Sequence, residues 1–443
     1  MVNISIDTKK VVKGMKAMHA GGQPPLGGAN QTEYIHYITE AGIPFSRLHD
    51  VGGYFGGGRY VDIPNVFRNF DADENDPDSY DFAFTDFLLK VLVDANVEPY
   101  YRLGITIENF VNIKAYHTAP PKDYHKWARI CEHVIRHYTE GWANGFYYNI
   151  RYWEIWNEPE GVPVEHGDEK AMWSGTAEQF FELYDVAAKH LKACFPHIKI
   201  GGYGSVGFNA VAPLETIDPE THQKVTVEPN AAEKWWLQFF YDFFAYIKER
   251  NTPIDFFSWH SYNTAWRIAK MDAWLHETLQ EMGYGDIETH LNEWNPCYHN
   301  TLHKNAAMIA ATMIALQHGH TDVCCIYDMK TTSGPWAPLF DLNTHKPKHG
   351  YYSMVAFNTL YQLKNQVQTT CDEEKLYVLG ASDGNRHAMM IANVSGARKQ
   401  LSIEGVNEKT ARYYALDKER LLSWAPNAKE IDDDMVILIE WQD

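Results

Sequence analysis

The chain has 443 residues, enough for a large barrel plus an appendage, and its 45% apolar and 22% charged content is that of an ordinary globular protein. Its 58 acidic and 39 basic residues give a net charge of −19, which repels phosphate backbones, and no Lys/Arg cluster offers a local exception, so nucleic acid is excluded as a partner. The 14% aromatic share suits a packed core and also a site that stacks flat apolar ligand faces.

The opening "VNISID" alternates apolar and polar residues. From residue 14 onward, short β-rich runs alternate with longer amphipathic ones. Strands are expected at 14–20, 45–50, 98–103, 149–157, 198–203, 255–261, 288–294 and 323–329. Helices are expected near 32–41, 83–95, 125–140, 178–195, 232–250, 267–282, 304–318 and 349–363. Strict alternation of strand and helix implies parallel strands with helical crossovers, and eight such units close into a (β/α)8 TIM barrel. An open doubly wound sheet competes, but no nucleotide-binding fingerprint accompanies the repeats.

After residue 365 the text changes to short alternating runs with turn signals at Asp383-Gly384 and Ser395-Gly396, as antiparallel strands require. The expected fold class is therefore α/β: a TIM barrel over 14–365, with a small antiparallel β-sandwich formed by 366–443 and joined by an N-terminal strand from 1–13.

Loop lengths point the same way. Segments from helix to strand are brief ("AGIP", 41–44; "ANV", 95–97), whereas those from strand to helix are long: 51–82, 104–124, 158–177, 204–231 and 331–348. In a barrel the long loops all emerge at the C-terminal face of the strands, where barrel sites sit.

Cysteines 131, 194, 297, 324, 325 and 371 form no CxxC pair or regular framework and read as free thiols. The opening "MVNISIDTKKVVKG" lacks the apolar core of a secretion signal, so a cytoplasmic protein is expected, with a periplasmic or secreted one as the alternative. The apolar run "NAAMIAATMIALQ" (305–317) is too short to span a bilayer, so no membrane partner is expected.

Two strand ends carry the chemistry. The fourth ends in "WEIWNEP", where period-2 geometry puts Tyr152, Glu154, Trp156 and Glu158 on one side, and Pro159, which lacks an N–H, stops the strand. Glu158 thus falls at the strand's mouth beside Asn157, whose amide suits a polyhydroxylated ligand; Glu154, one step deeper, is expected to pair with a buried donor. The seventh ends in "HLNEWNP", with Glu293 before Trp294 and Pro296. Carboxylates facing each other across a cleft are what glycoside hydrolysis needs. His260 and Tyr262 end strand six, beside strand seven, and are candidate donors to Glu293. Arg47 and His49 end strand two; Arg47 is aimed either at Glu293 or at an acid inside the barrel. Asp328 and Lys330, at the end of strand eight, share one side and can pair. The glycine-rich "GGYFGGGRY" (52–60) lacks a phosphate-cradle spacing, and no His or Cys spacing fits a zinc site.

"WEIWNEP", "APPKDYHKWARICEHVIRHY" (119–138), "SRLHD" (46–50), "FFSWHSY" (256–262), "HLNEWN" (290–295) and "KPKHGYYSMVAF" (346–357) together resemble glycoside hydrolase family 39 in content and order. The resemblance implies a retaining, exo-acting glycosidase, with β-D-xylosidase leading and arabinose-, galactose-, glucose- or uronic-acid-specific relatives as alternatives; a non-catalytic carbohydrate-binding barrel is the alternative outside enzymes. It makes Glu158 the general acid/base, Glu293 the nucleophile, Asn157 the ligand of the sugar 2-OH and His49 a sugar-hydroxyl ligand. His260 and Tyr262 match its His-x-Tyr, and Trp336 is a candidate wall of the sugar site. It implies no cofactor and no metal, a glycoside or oligosaccharide as partner, and is compatible with a homo-oligomer. Two departures stand out. Asp50 occupies a position where relatives carry a small residue, and "YDMKTTSGPWAPLF" (327–340) replaces acid-rich text; there Lys330 could instead meet a uronate.

Overall fold

The computed structural model describes residues 1–25, 32–51, 61–106, 118–161, 172–217, 222–296, 301–330, 337–341, 343–344, 346–427 and 429–443. Eight parallel strands, at Ala17–Gly22, Phe45–Leu48, Glu98–Leu103, Tyr152–Ile155, Lys199–Ser205, Phe256–Ser261, Glu288–Trp294 and Val323–Ile326, pair in chain order. The eighth pairs with the first, so the barrel closes. Helices lie between or after them at Ile35–Glu40, Ala83–Asp94, Tyr124–Thr139, Ala177–Cys194, Ala231–Arg250, Ala265–Met282, Leu302–His318 and His349–Tyr361, one for each helix expected from the sequence. Local chemistry sets their ends. Thr176 with Gln179 and Asn230 with Glu233 form capping boxes that satisfy otherwise orphaned N–H groups, and Gly283 closes the helix before it at φ 87°.

Side chains fill the barrel in layers. Phe45, Tyr100, Tyr152 and Phe256 pack with Ala17, Ala20, Val323 and Cys325 in the lower interior. Outward-facing residues such as Trp153, Ile155, Ile200 and Leu291 join the core beneath the helices. Glycine admits a close approach at one seam: a Cβ on Gly201 of strand five would lie 2.1 Å from the carbonyl oxygen of Phe256 on strand six.

The second sheet has nine strands, in the order 423–425, 412–416, 435–442, 386–393, 376–382, 365–371, 2–14, 399–404, 430–431. The N-terminal strand Val2–Gly14 runs antiparallel to Asn365–Cys371 and parallel to Lys399–Glu404, so the two chain ends build one sheet. Val2, Ile4, Leu376, Ile391, Ala425, Ile431 and Ile439, drawn from the middle and both ends of the sheet, share one core, so the sheet folds over on itself as a sandwich does. Leu379, Met390 and Leu438, from the other face, join the barrel's core. Leu302–His318 packs between barrel and sheet, which is why its run 305–317 is buried nearly all round. Cys324 and Cys325 are buried free thiols, while Cys297 lies outside the described residues. No helix among the described residues is long and apolar enough to cross a membrane.

Gly201→Ala should destabilise the fold by about 1–3 kcal/mol, because the backbone at the seam must move. Urea unfolding checks it; an unchanged midpoint would show that the seam relaxes freely.

Candidate active site

The site grows out of a buried guanidinium. Arg47, on strand two, is 1% exposed. Its Nε donates to Glu154 Oε2 at 2.8 Å, Nη1 to Glu293 Oε2 at 3.0 Å and Nη2 to Asn157 Oδ1 at 2.5 Å. The sequence left Arg47 between Glu293 and an interior acid; the structure gives it both. Burial disfavours its charge, but Glu154 and Glu293 overcome that and hold it protonated. Glu154 also accepts from Ser258 Oγ and Asn292 Nδ2, each at 2.6 Å. Burial pushes its carboxyl up, yet Arg47, Ser258 and Asn292 more than offset that and leave it below the usual range. Gly204 lies against this junction, where an added Cβ would meet Arg47 Nη2 at 3.1 Å and Asn157 Oδ1 at 3.2 Å.

Two backbone irregularities aim the carboxylates. Strand four ends at Ile155, earlier than its pattern suggests, and Trp156 and Glu158 take φ values of 74° and 46°. Tyr152 and Glu154 share the barrel interior as expected, but Trp156 does not join them. The left-handed turn swings its ring outward against Trp127 and Trp173, with ring centroids 6.2 and 5.1 Å away, and its indole N–H donates to the Met172 carbonyl at 3.0 Å. Left-handed conformations at non-glycine residues cost about 1–3 kcal/mol each and concentrate at functional sites. On strand seven a bulge between Leu291 and Glu293 disrupts alternation. It lets Asn292 bond Glu154 below while Glu293 bonds Arg47 and Tyr262 above.

Around the two acids, His260 Nδ1 lies 2.7 Å from Glu158 Oε1, and the Tyr262 hydroxyl donates to Glu293 Oε1. Sequence reasoning placed both as donors to Glu293. Tyr262 is one, whereas His260 bonds Glu158, its Nε2 being 3.9 Å from Glu293. One oxygen each of Glu158 and Glu293 and one ring nitrogen of His260 all lie within 4.8 Å of one another. Glu158 is partly exposed and Glu293 is buried. Burial pushes the Glu293 carboxyl up and Glu158 adds to that, while Arg47 and Tyr262 act the other way. Burial also lowers His260 to about 4, so its ring is neutral near pH 7 and Arg47 is the standing positive charge beside Glu293.

His49 lies at the rim of this group, with Nε2 3.3 Å from Asp50 Oδ1 and 4.0 Å from Glu293 Oε2. Burial, then Arg47, holds its ring neutral. Asp50 accepts from the Tyr327 hydroxyl at 2.8 Å. Asp328 accepts from the Lys330 backbone N–H at 3.0 Å. Burial raises Asp328 to about 7 against the pull of Lys330's charge. Trp336 and the loop 52–60 lie outside the described residues. Sequence reasoning missed Ser258, Asn292 and Tyr327. Ser258 stands two before His260, so its spacing offered a signal; Asn292 is visible only through the bulge.

Among the described residues, two groups bring metal-type donors within 4.8 Å of one another: Glu158, His260 and Glu293, and, on the outer helices, Glu132, His190 and Cys194. In each an arginine already pairs with a carboxylate, Arg47 with Glu293 and Arg136 with Glu132, which opposes a second cation.

The chain matches the family model described as Glycosyl hydrolases family 39 over residues 3–323. It is 24% identical over 326 residues to a beta-xylosidase of Geobacillus stearothermophilus, covering 65% of this chain and 56% of that protein. It is 25% identical over 233 residues to a beta-xylosidase of Caldicellulosiruptor saccharolyticus, covering 51% of this chain and 38% of that protein. The match thus spans about half the length of these relatives or less. Among solved structures, a glucosidase from Croceicoccus marinus superposes with a TM-score of 0.78 at 18% identity, covering 100% of this chain and 99% of that one. A monomeric beta-xylosidase from Caulobacter crescentus gives 0.66 at 15% identity, covering 99% of both chains.

Arg47→Met should cost about 3–5 kcal/mol in chemical denaturation, because it strands Glu154 as an unpaired buried charge. A loss below about 1 kcal/mol would show that the other donors to Glu154 suffice. An NMR titration should find the His260 ring neutral down to pH about 4; a midpoint near 6.5 would contradict the burial that holds it there.

Proposed function

This chain belongs to glycosyl hydrolase family 39, and from that premise and the placing of Glu158 and Glu293 we propose that it is a retaining, exo-acting glycoside hydrolase whose leading activity is that of a β-D-xylosidase. The observation that carries the reading is the approach of the two carboxylates: an oxygen of Glu158 and an oxygen of Glu293 lie within 4.8 Å. Direct attack by one carboxylate goes with carboxyl groups about 5–5.5 Å apart, whereas inversion through an intervening water goes with roughly 6.5–9.5 Å.

In the first step Glu293 attacks the anomeric carbon as the glycosidic C–O bond breaks, and the Glu158 proton passes to the departing oxygen. In the second, Glu158 takes a proton from water, the water oxygen bonds the anomeric carbon, and the bond to Glu293 breaks. Arg47 and Tyr262 hold Glu293 in place and favour its charge against the burial that opposes it. Asn157, whose carbonyl is tied to Arg47, turns its Nδ2 toward the Met172 sulfur at 3.1 Å. Sulfur is a weak acceptor, which a sugar 2-OH can displace. His49 supplies a further hydroxyl contact. Residues 14–365 are the catalytic barrel, and 1–13 with 366–443 the accessory sandwich. The beta-xylosidase names of the two sequence relatives support xylose.

Aryl β-D-xyloside, glucoside, galactoside and glucuronide and an aryl α-L-arabinoside test it together. At least one should be hydrolysed with retention, the xyloside fastest. Glu158→Ala should lower kcat on phenyl glycosides by about 10²–10⁴-fold, with azide restoring turnover on dinitrophenyl glycosides. Sugar binding without hydrolysis of any member would overturn the enzyme assignment in favour of a binding barrel.

A further inference from the structure

Two residues beyond Glu158, on the same turn, sits a second acid that the mechanism above does not use. Glu160 is 1% exposed. Its Oε1 accepts from the Val206 backbone N–H at 3.1 Å, the Ser205 hydroxyl faces the same carboxyl, and its Oε2 is buried with no hydrogen-bond partner among the described residues. Around it the two loops are stitched together: the Glu158 N–H donates to the Gly204 carbonyl at 2.9 Å, and the Trp235 indole N–H donates to the carbonyls of Glu160 and Gly161 at 3.2 and 2.7 Å. A buried carboxylate whose second oxygen has no donor is strongly disfavoured, and the neutral acid avoids most of that cost.

Resting on the reading of Glu158 as acid/base, we infer that Glu160 is its positioning residue: an uncharged carboxyl that pins the turn 158–161 to the loop after strand five and so fixes where Glu158 delivers its proton. The groups facing it are Glu158 on its own turn, Tyr203, Ser205 and Val206 at the end of strand five, and Trp235 on the helix Ala231–Arg250. Among these, Glu158 is the other carboxyl. Burial, with Glu158 adding to it and Ser205 opposing, raises Glu160 to about 8, so the turn carries one working acid instead of two competing anions near neutrality. The position was open to inspection in "NEPEG", but nothing in the sequence separates a buried Glu160 from a solvated loop acid.

The test compares Glu160→Ala and Glu160→Gln with the wild type on phenyl and dinitrophenyl glycosides of the best sugar, with Glu158→Ala as reference. Proton delivery limits only the poor leaving group. Glu160→Ala should therefore lose about 10–10²-fold in kcat on the phenyl glycoside, the scale of a misplaced catalytic group. It should lose far less on the dinitrophenyl glycoside, with KM little changed. Glu160→Gln, which keeps an acceptor for Val206, should restore most of the phenyl activity.

The uncharged state has its own readout. A raised carboxyl stabilises least above its folded pKa, so the thermal stability of Glu160→Gln relative to wild type should rise from pH 4.5 to about 8 and then level off. Equal kcat losses on both leaving groups, wild-type behaviour of Glu160→Ala, or a stability difference independent of pH overturns the inference while the assignment of Glu158 stands. If Glu158→Ala itself shows no leaving-group dependence, that assignment fails and this one with it. Should Glu160→Ala not fold, the phenyl-to-dinitrophenyl ratio of Glu160→Gln and its pH-stability curve decide.

Discussion

One guanidinium, sealed from water, organises this site. Arg47 spreads its fork over acceptors from two other strand tips: Glu154 on strand four and Asn157 on the turn after it, and Glu293 on strand seven. A planar, permanently charged group with donors at fixed angles can do this; a lysine, one point charge on a flexible stem, cannot. Because the three acceptors must meet one rigid fork, the tips of strands two, four and seven are held in register at the barrel mouth. The cost is a charge cluster in a dry interior, tolerable because Ser258 and Asn292 complete the Glu154 shell.

From that anchor the two carboxylates are driven into different settings. Glu293 is buried and touches Arg47 and Tyr262; Glu158 is partly exposed and touches a neutral His260. Two like groups given unlike surroundings can divide proton transfer and covalent attack between them. Both are delivered by departures from regular structure, the left-handed turn at Trp156 and Glu158 and the bulge before Glu293. Regular strands would face alternate residues apart; the irregularities converge them.

The barrel was legible because its signal is repeated eight times, and each repeat constrains the next. All eight strands and all eight helices overlap the stretches periodicity gave them, though strand one runs Ala17–Gly22 and strand four stops at Ile155, and the second sheet takes in the N-terminal strand as its alternation suggested. Glu158 and Glu293 were legible because Pro159 and Pro296 mark the strand ends on which they ride. What the sequence hid is what alternation cannot encode. It set Trp156 beside Glu154, though φ 74° turns it out to the helices. It gave His260 to Glu293, though the ring turns Nδ1 to Glu158 and leaves Nε2 3.9 Å from Glu293, and how a ring is turned is not encoded in strand alternation. Asn292 and Glu160 look like ordinary polar residues until a bulge and a buried turn give them partners.

The central claim is that Glu293 becomes covalently bonded to the sugar. It is tested most directly by incubating the protein with activated 2-deoxy-2-fluoro derivatives of the panel sugars and mapping any adduct by peptide mass spectrometry. The account predicts stoichiometric inactivation, with the fluoro-sugar on Glu293 and none on Glu158. A label on Glu158, or steady turnover without an adduct to a product of inverted configuration, would contradict it.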